Sequence, residues 1–80
     1  MTRNEIFDEL TSIAKEVFAN SELILTEQSN ASTVDNWTSL TFMQFLTEIE
    51  NKFNVKFKML EMLKFHNIGA IVDTLQEHLS

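Results

Sequence analysis

Thr38-Ser39-Leu40-Thr41-Phe42-Met43-Gln44-Phe45-Leu46-Thr47-Glu48-Ile49-Glu50-Asn51-Lys52-Phe53 is the stretch whose reading decides the fold. A hydroxyl residue that can cap a helix stands at its start, and the apolar residues recur at helical spacing behind it. At about 100° of turn per residue, Phe42, Phe45, Leu46, Ile49 and Phe53 fall within one arc about 100° wide, the width of a core-facing stripe. Leu40, Met43 and Thr47 fall together on an adjacent face, with Glu50 beside Met43. Ser39 lies between the two faces at the helix start. The helix therefore offers a second, partly apolar strip, bordered by acids and next to a serine. Two readings of that strip stand open: gap-filling by Leu40 and Met43 in a small core, or a docking face on which apolar residues supply contact and acids steer basic partners.

Outward from this helix the pattern stays helical. Thr2 and Glu5 have capping-box spacing. Ile6, Phe7, Leu10, Ile13, Ala14, Val17 and Phe18 then form one apolar stripe, which predicts a first helix from about Arg3 to Phe18. Ser21 to Thr38 is polar and rich in Ser, Thr, Asn and Asp, side chains that compete with helix for the local backbone. It reads as a long connection, pinned by Leu23, Ile24, Leu25, Val34 and Trp37, and loops of that length in small domains are often functional. Beyond Phe53, Asn54 breaks the pattern, Val55-Lys56-Phe57 alternates, and Met59 to Leu63 has room for one or two helical turns. Asn67 is a good N-cap for a last helix with Ile68, Ile71, Val72, Leu75 and Leu79 on its apolar stripe. The predicted architecture is all-α: one domain over residues 1–80, a small bundle of three main helices plus one short one.

Bulk properties bound the function. Eighty residues allow one modest core, and 44% hydrophobic residues are too many for a disordered tail. No apolar run approaches the ~20 residues of a membrane span, and the N-terminal residues lack the pattern of a signal peptide. No membrane insertion is expected, and a cytoplasmic location is. There is no cysteine, hence no disulfide or thiolate metal site. Twelve acidic and six basic residues give a formal charge of −6, which disfavours nucleic acid as a partner.

Catalysis is not written in the chain. Ser39 with His66 or His78 lacks the strand-turn-helix elbow of a serine nucleophile. The two histidines, twelve positions apart, match no metal-ligand spacing. No catalytic residue and no metal site is assigned.

The ordered set of elements, with Thr38-Ser39-Leu40, Met43, Phe45-Leu46-Thr47-Glu48-Ile49-Glu50-Asn51-Lys52-Phe53 and then Asn54-Val55-Lys56-Phe57, resembles the acyl carrier proteins and the related thiolation domains over nearly the whole chain. The family motif is Asp-Ser-Leu. Ser39 and Leu40 match it, while Thr38 stands where the family has aspartate and brings no charge. Thr41 and Gln44 are neutral where fatty-acid-synthesis carriers often have acids. Trp37 before the motif looks like stand-alone carriers of specialised pathways.

The resemblance implies a carrier that is not itself an enzyme. Its cofactor would be 4'-phosphopantetheine from coenzyme A, attached to Ser39, with acyl or aminoacyl cargo held as a thioester on the arm. It implies a phosphopantetheinyl transferase, an acyl- or aminoacyl-loading ligase and downstream transferases or synthases as partners, met through Leu40, Met43, Thr47 and Glu50. A monomer is expected of a carrier that visits several enzymes. The alternative reading is a carrier-like helical binding module that is never modified and acts through its second-helix surface. The several phenylalanines favour short or polar cargo over a long chain.

Overall fold

The computed structural model describes residues 1–80 as four helices: α1 (Arg3–Val17), α2 (Ser39–Phe53), α3 (Met59–Met62) and α4 (Ile68–Leu79). Each long helix begins where its sequence supplies a cap. Thr2 Oγ1 accepts from the Glu5 N–H at 3.2 Å, and Glu5 accepts from the Thr2 N–H at 2.7 Å, a reciprocal capping box. Asn67 Oδ1 accepts from the Ala70 N–H at 2.9 Å to start α4.

α1 and α2 stop by left-handed turns without glycine. α1 ends one residue earlier than its pattern predicts, and Phe18 is its C-cap. Ala19 then takes φ 53°, and the Asn20 and Ala19 N–H groups donate to the carbonyls of Lys15 and Glu16. That is a Schellman closure with alanine in a position glycine usually holds. Asn54 does the same after α2 at φ 55°, with the Val55 N–H donating to Glu50 O at 3.1 Å.

The core is the inner stripe of each long helix. Ile6, Leu10, Ala14 and Phe18 of α1 and its cap, Phe45, Leu46 and Ile49 of α2, and Ile68, Ile71, Val72 and Leu75 of α4 are buried against one another. Phe7, Ile13, Val17, Phe42 and Phe53, from the predicted stripes, pack at its margin. The long connection is pinned as its apolar residues predict at Leu23, Leu25 and Val34, which are buried, and at Trp37, which packs on the core. Ile24 corrects that expectation: it is 79% exposed, because its neighbours on both sides point inward and the extended backbone turns it out. Leu79 also leaves its predicted stripe, at 39% exposed, since the final turn of α4 runs past the end of the core.

Arg3 ties three parts of the chain together. Its guanidinium forks onto Glu27, donating at 2.8 and 2.7 Å, and donates to Asp73 Oδ1 at 2.8 Å and Gln76 Oε1 at 2.7 Å. The same junction brings the Ile68 N–H to Ser29 O at 2.9 Å and the Gly69 N–H to Glu27 O at 3.0 Å. Here the only glycine has its reason. A Cβ on Gly69 would lie 2.6 Å from Glu27 Oε1 and 3.0 Å from the Glu27 carbonyl oxygen, so the loop approaches α4 too closely for a side chain.

Candidate functional site

Ser39 is the first residue of α2 and is exposed. The cap of this helix is built from its neighbours. Thr38 Oγ1 accepts from the Thr41 N–H at 3.2 Å, and the Thr38 N–H donates to Thr41 Oγ1 at 2.8 Å. Thr41 in turn donates its hydroxyl to the Asn36 carbonyl at 2.7 Å. Asn36, at φ 67°, sends its side-chain amide to the Phe18 carbonyl at 2.8 Å. This run of hydrogen bonds fastens the residues before Ser39 to the end of α1 and leaves the Ser39 hydroxyl out of the capping.

Aromatic packing supports the same junction from below. Trp37 lies between Phe18 and Phe42, with ring centroids 5.3 and 5.2 Å away and planes only 11° and 17° apart. Phe45 closes the cluster against Phe18 and Trp37. A shallow hollow beside these rings is lined by Ala31, Trp37, Thr38, Ser39 and Phe42. The serine thus rides on a rigid step rather than on a mobile loop, which suits a residue that must present a group in fixed orientation.

The outward strip beside it is formed by Leu40 and Met43, 69% and 55% exposed, and by Thr47, also exposed. Neither Leu40 nor Met43 fills the core. Thr47 donates its hydroxyl to the Met43 carbonyl at 2.9 Å, so its methyl group is the part left to face a partner. With Gln44 and Glu48 these residues line one shallow surface hollow. Glu50 stands apart from them. It is half-buried, and its carboxylate accepts from the Phe57 N–H at 2.8 Å, holding the segment that follows α2. The acid lining the hollow is Glu48.

Sequence reasoning missed Thr41 and Asn36. A capping box is usually recognised by Glu or Gln at its fourth position. The signal here was a hydroxyl residue at both ends of the Thr38–Thr41 spacing.

Residues 37–75 match the family model described as a phosphopantetheine attachment site. The fold superposes on the solution NMR structure of a holo acyl carrier protein from Geobacter metallireducens with a TM-score of 0.85. The two chains are 32% identical, over 91% of this chain and 84% of that one. The chain belongs to the acyl carrier protein family.

As an acyl carrier protein it is a non-catalytic carrier, and its cofactor is covalently attached 4'-phosphopantetheine. The start of α2 fits that group chemically. No acidic residue occupies its first turn. The N–H groups at a helix N-terminus carry partial positive charge, which favours the anion that a phosphodiester on this carrier would place there. The carrier also has no helix long and apolar enough to cross a membrane.

Proposed function

We propose that Ser39 is the residue that carries the 4'-phosphopantetheine arm and that the carrier presents acyl or aminoacyl cargo on it to partner enzymes. The observation that carries this reading is an exposed hydroxyl on the first residue of a helix whose capping is done entirely by its neighbours Thr38 and Thr41. The chain's own work is to hold that hydroxyl outward, at the positive end of α2, on a base of stacked rings. The arm supplies a terminal thiol on which cargo is held as a thioester.

A phosphopantetheinyl transferase installs the arm from coenzyme A, and Ser39 needs no neighbouring base because the transferase activates it. A loading ligase and downstream transferases or synthases then meet the carrier at Leu40, Met43 and Thr47, with Glu48 steering basic surfaces. Brief encounters through a small interface suit a monomeric carrier working in the cytoplasm.

An interior filled by phenylalanine favours short or polar cargo. Phe18, Phe45, Phe57 and Phe65 are buried, and Phe57 and Phe65 pack edge to face at 5.1 Å. Cargo on the arm then stays outside the bundle. A long acyl chain that raised the melting temperature markedly would contradict this.

The attachment is tested by incubating the purified protein with coenzyme A and a broad-specificity phosphopantetheinyl transferase and measuring intact mass. A gain of one arm, absent from Ser39→Ala, is expected. No gain with several transferases would instead favour the unmodified binding module.

A further inference from the structure

Two shallow hollows lie along α2 near Ser39, and they differ in character. One is lined by Leu40, Met43, Gln44, Thr47 and Glu48, and so includes a carboxylate. The other has a volume of about 370 Å³ and is lined by Ala31, Trp37, Thr38, Ser39 and Phe42. Ser39 belongs to this second lining, and no ionisable residue does. From Gln28 to Thr47 the chain has a single ionisable side chain, Asp35, although 22% of all residues are charged. Asp35 is exposed and does not line the hollow.

The residues around this uncharged hollow are held in place. Trp37 and Phe42 are half-buried and stack at 5.2 Å, above the fully buried Phe18 and Phe45. Ala31 comes from the long connection and is exposed. The turn that carries it is closed by local hydrogen bonds. The Ser32 N–H donates to Asn30 Oδ1 at 2.8 Å, and the Asn30 N–H donates to Thr33 Oγ1 at 2.9 Å. Val34, just beyond, is buried in the core.

We propose that this hollow is a resting site for the phosphopantetheine arm, in which Ala31, Trp37 and Phe42 receive its branched dimethyl segment. The inference rests on Ser39 as the attachment residue. Three observations select this hollow over the strip at Leu40 and Met43. Ser39 lines it, so an arm attached there starts at its edge. A phosphodiester is an anion and meets no carboxylate in this lining, whereas Glu48 lines the other hollow. The dimethyl segment beside the phosphodiester is apolar and is stabilised by aliphatic and aromatic surface. The interior, filled by Phe18, Phe45, Phe57 and Phe65, offers it no such place. Tethering makes a contact sufficient that is too weak to hold a free molecule. Leu40 and Met43 stay clear for partner enzymes, which draw the arm out by binding it more tightly.

The test loads isotopically labelled protein with an unlabelled arm, confirms the loading on Ser39 by intact mass against Ser39→Ala, and records isotope-filtered NOEs. The expected result is NOEs from the dimethyl protons of the arm to the Trp37 indole and the Ala31 methyl group. Fluorescence of Trp37, the only tryptophan, should shift to the blue on loading. Ala31→Glu places a carboxylate in the hollow and should abolish both signals in the loaded protein, with the melting temperature preserved. Should that variant melt early, the wild-type NOEs decide alone. A loaded protein with no NOE to either residue, with NOEs to Leu40, Met43, Phe57 or Phe65 instead, or with NOEs that survive Ala31→Glu would overturn the resting site while leaving Ser39 as the attachment residue. No gain in mass would remove the attachment itself, and the resting site with it.

Discussion

At the start of α2 and at the single turn of α3 a side chain three residues on accepts from the N–H of the cap residue, but the chemistry differs. At α2 the cap joins two threonines and is extended through Asn36 to the end of α1, with no ionisable group in it. At α3 the cap is a carboxylate, Glu61, which also reaches across to His78. Uncharged hydrogen bonds keep their geometry at any pH the fold survives. A carboxylate cap works only while it is ionised. The serine-bearing step is therefore the fixed end of the carrier and α3 the adjustable one.

Removing the aromatic base under α2 should have the largest effect. Phe45 is fully buried against Phe18 and Trp37, and Phe45→Ala should cost about 3–5 kcal/mol in urea denaturation. A cost below about 1 kcal/mol would mean that the ring cluster does not hold the step.

Removing only the cap has a smaller effect in the right place. Thr41→Val keeps the shape of the side chain and deletes its hydroxyl bonds to Thr38 and Asn36. It should cost about 1 kcal/mol and slow loading of the arm, while Thr41→Ser restores both. Loading at the wild-type rate by the valine variant would detach the cap from the serine's presentation.

At α3 the expected change is local and depends on pH. Hydrogen bonds from the Lys58 N–H and from His78 hold the Glu61 carboxyl below the usual carboxylate range. A depressed folded value means that its contribution is complete above the unfolded value, about pH 4.3, and is lost as pH falls through the folded one. Amide resonances of Met59–Met62 should shift on acidification through that window while those of Leu40–Phe42 stay in place. In Glu61→Gln the α3 shift should vanish. Simultaneous movement of both regions would show that they do not differ as described.

The smallest expected effect on stability is at the strip itself. Met43 is exposed, so Met43→Glu should change stability by less than about 0.5 kcal/mol while weakening transfer of cargo to partner enzymes. A large drop in melting temperature would put Met43 in the core instead.

Much of this was legible because it is local. The Thr2–Glu5 box, the inner stripes of the three long helices and the Asn67 cap each lie within a few residues and follow from helical spacing. The outward placement of Leu40, Met43 and Thr47 followed from the same geometry. What the sequence hid depends on contacts between distant segments. Arg3 meets Asp73 and Gln76 from the other end of the chain, and nothing near Arg3 announces it. Glu50 reads as a surface acid beside Met43, yet its carboxylate is turned to the Phe57 N–H by the left-handed residue Asn54 between them. Ile24 reads as a loop anchor because hydrophobicity alone does not say which side of an extended segment faces inward.

Fragmentation of the loaded protein tests whether the arm sits on Ser39 and on no other hydroxyl. Cleavage after Lys15 and Lys52 releases one peptide, Glu16 to Lys52, which holds Ser39 together with Ser21, Ser29 and Ser32. Sequencing that peptide by tandem mass spectrometry should place a single phosphopantetheine on Ser39. Its appearance on another residue, or an unmodified peptide after exhaustive incubation with coenzyme A and transferase, would contradict the account.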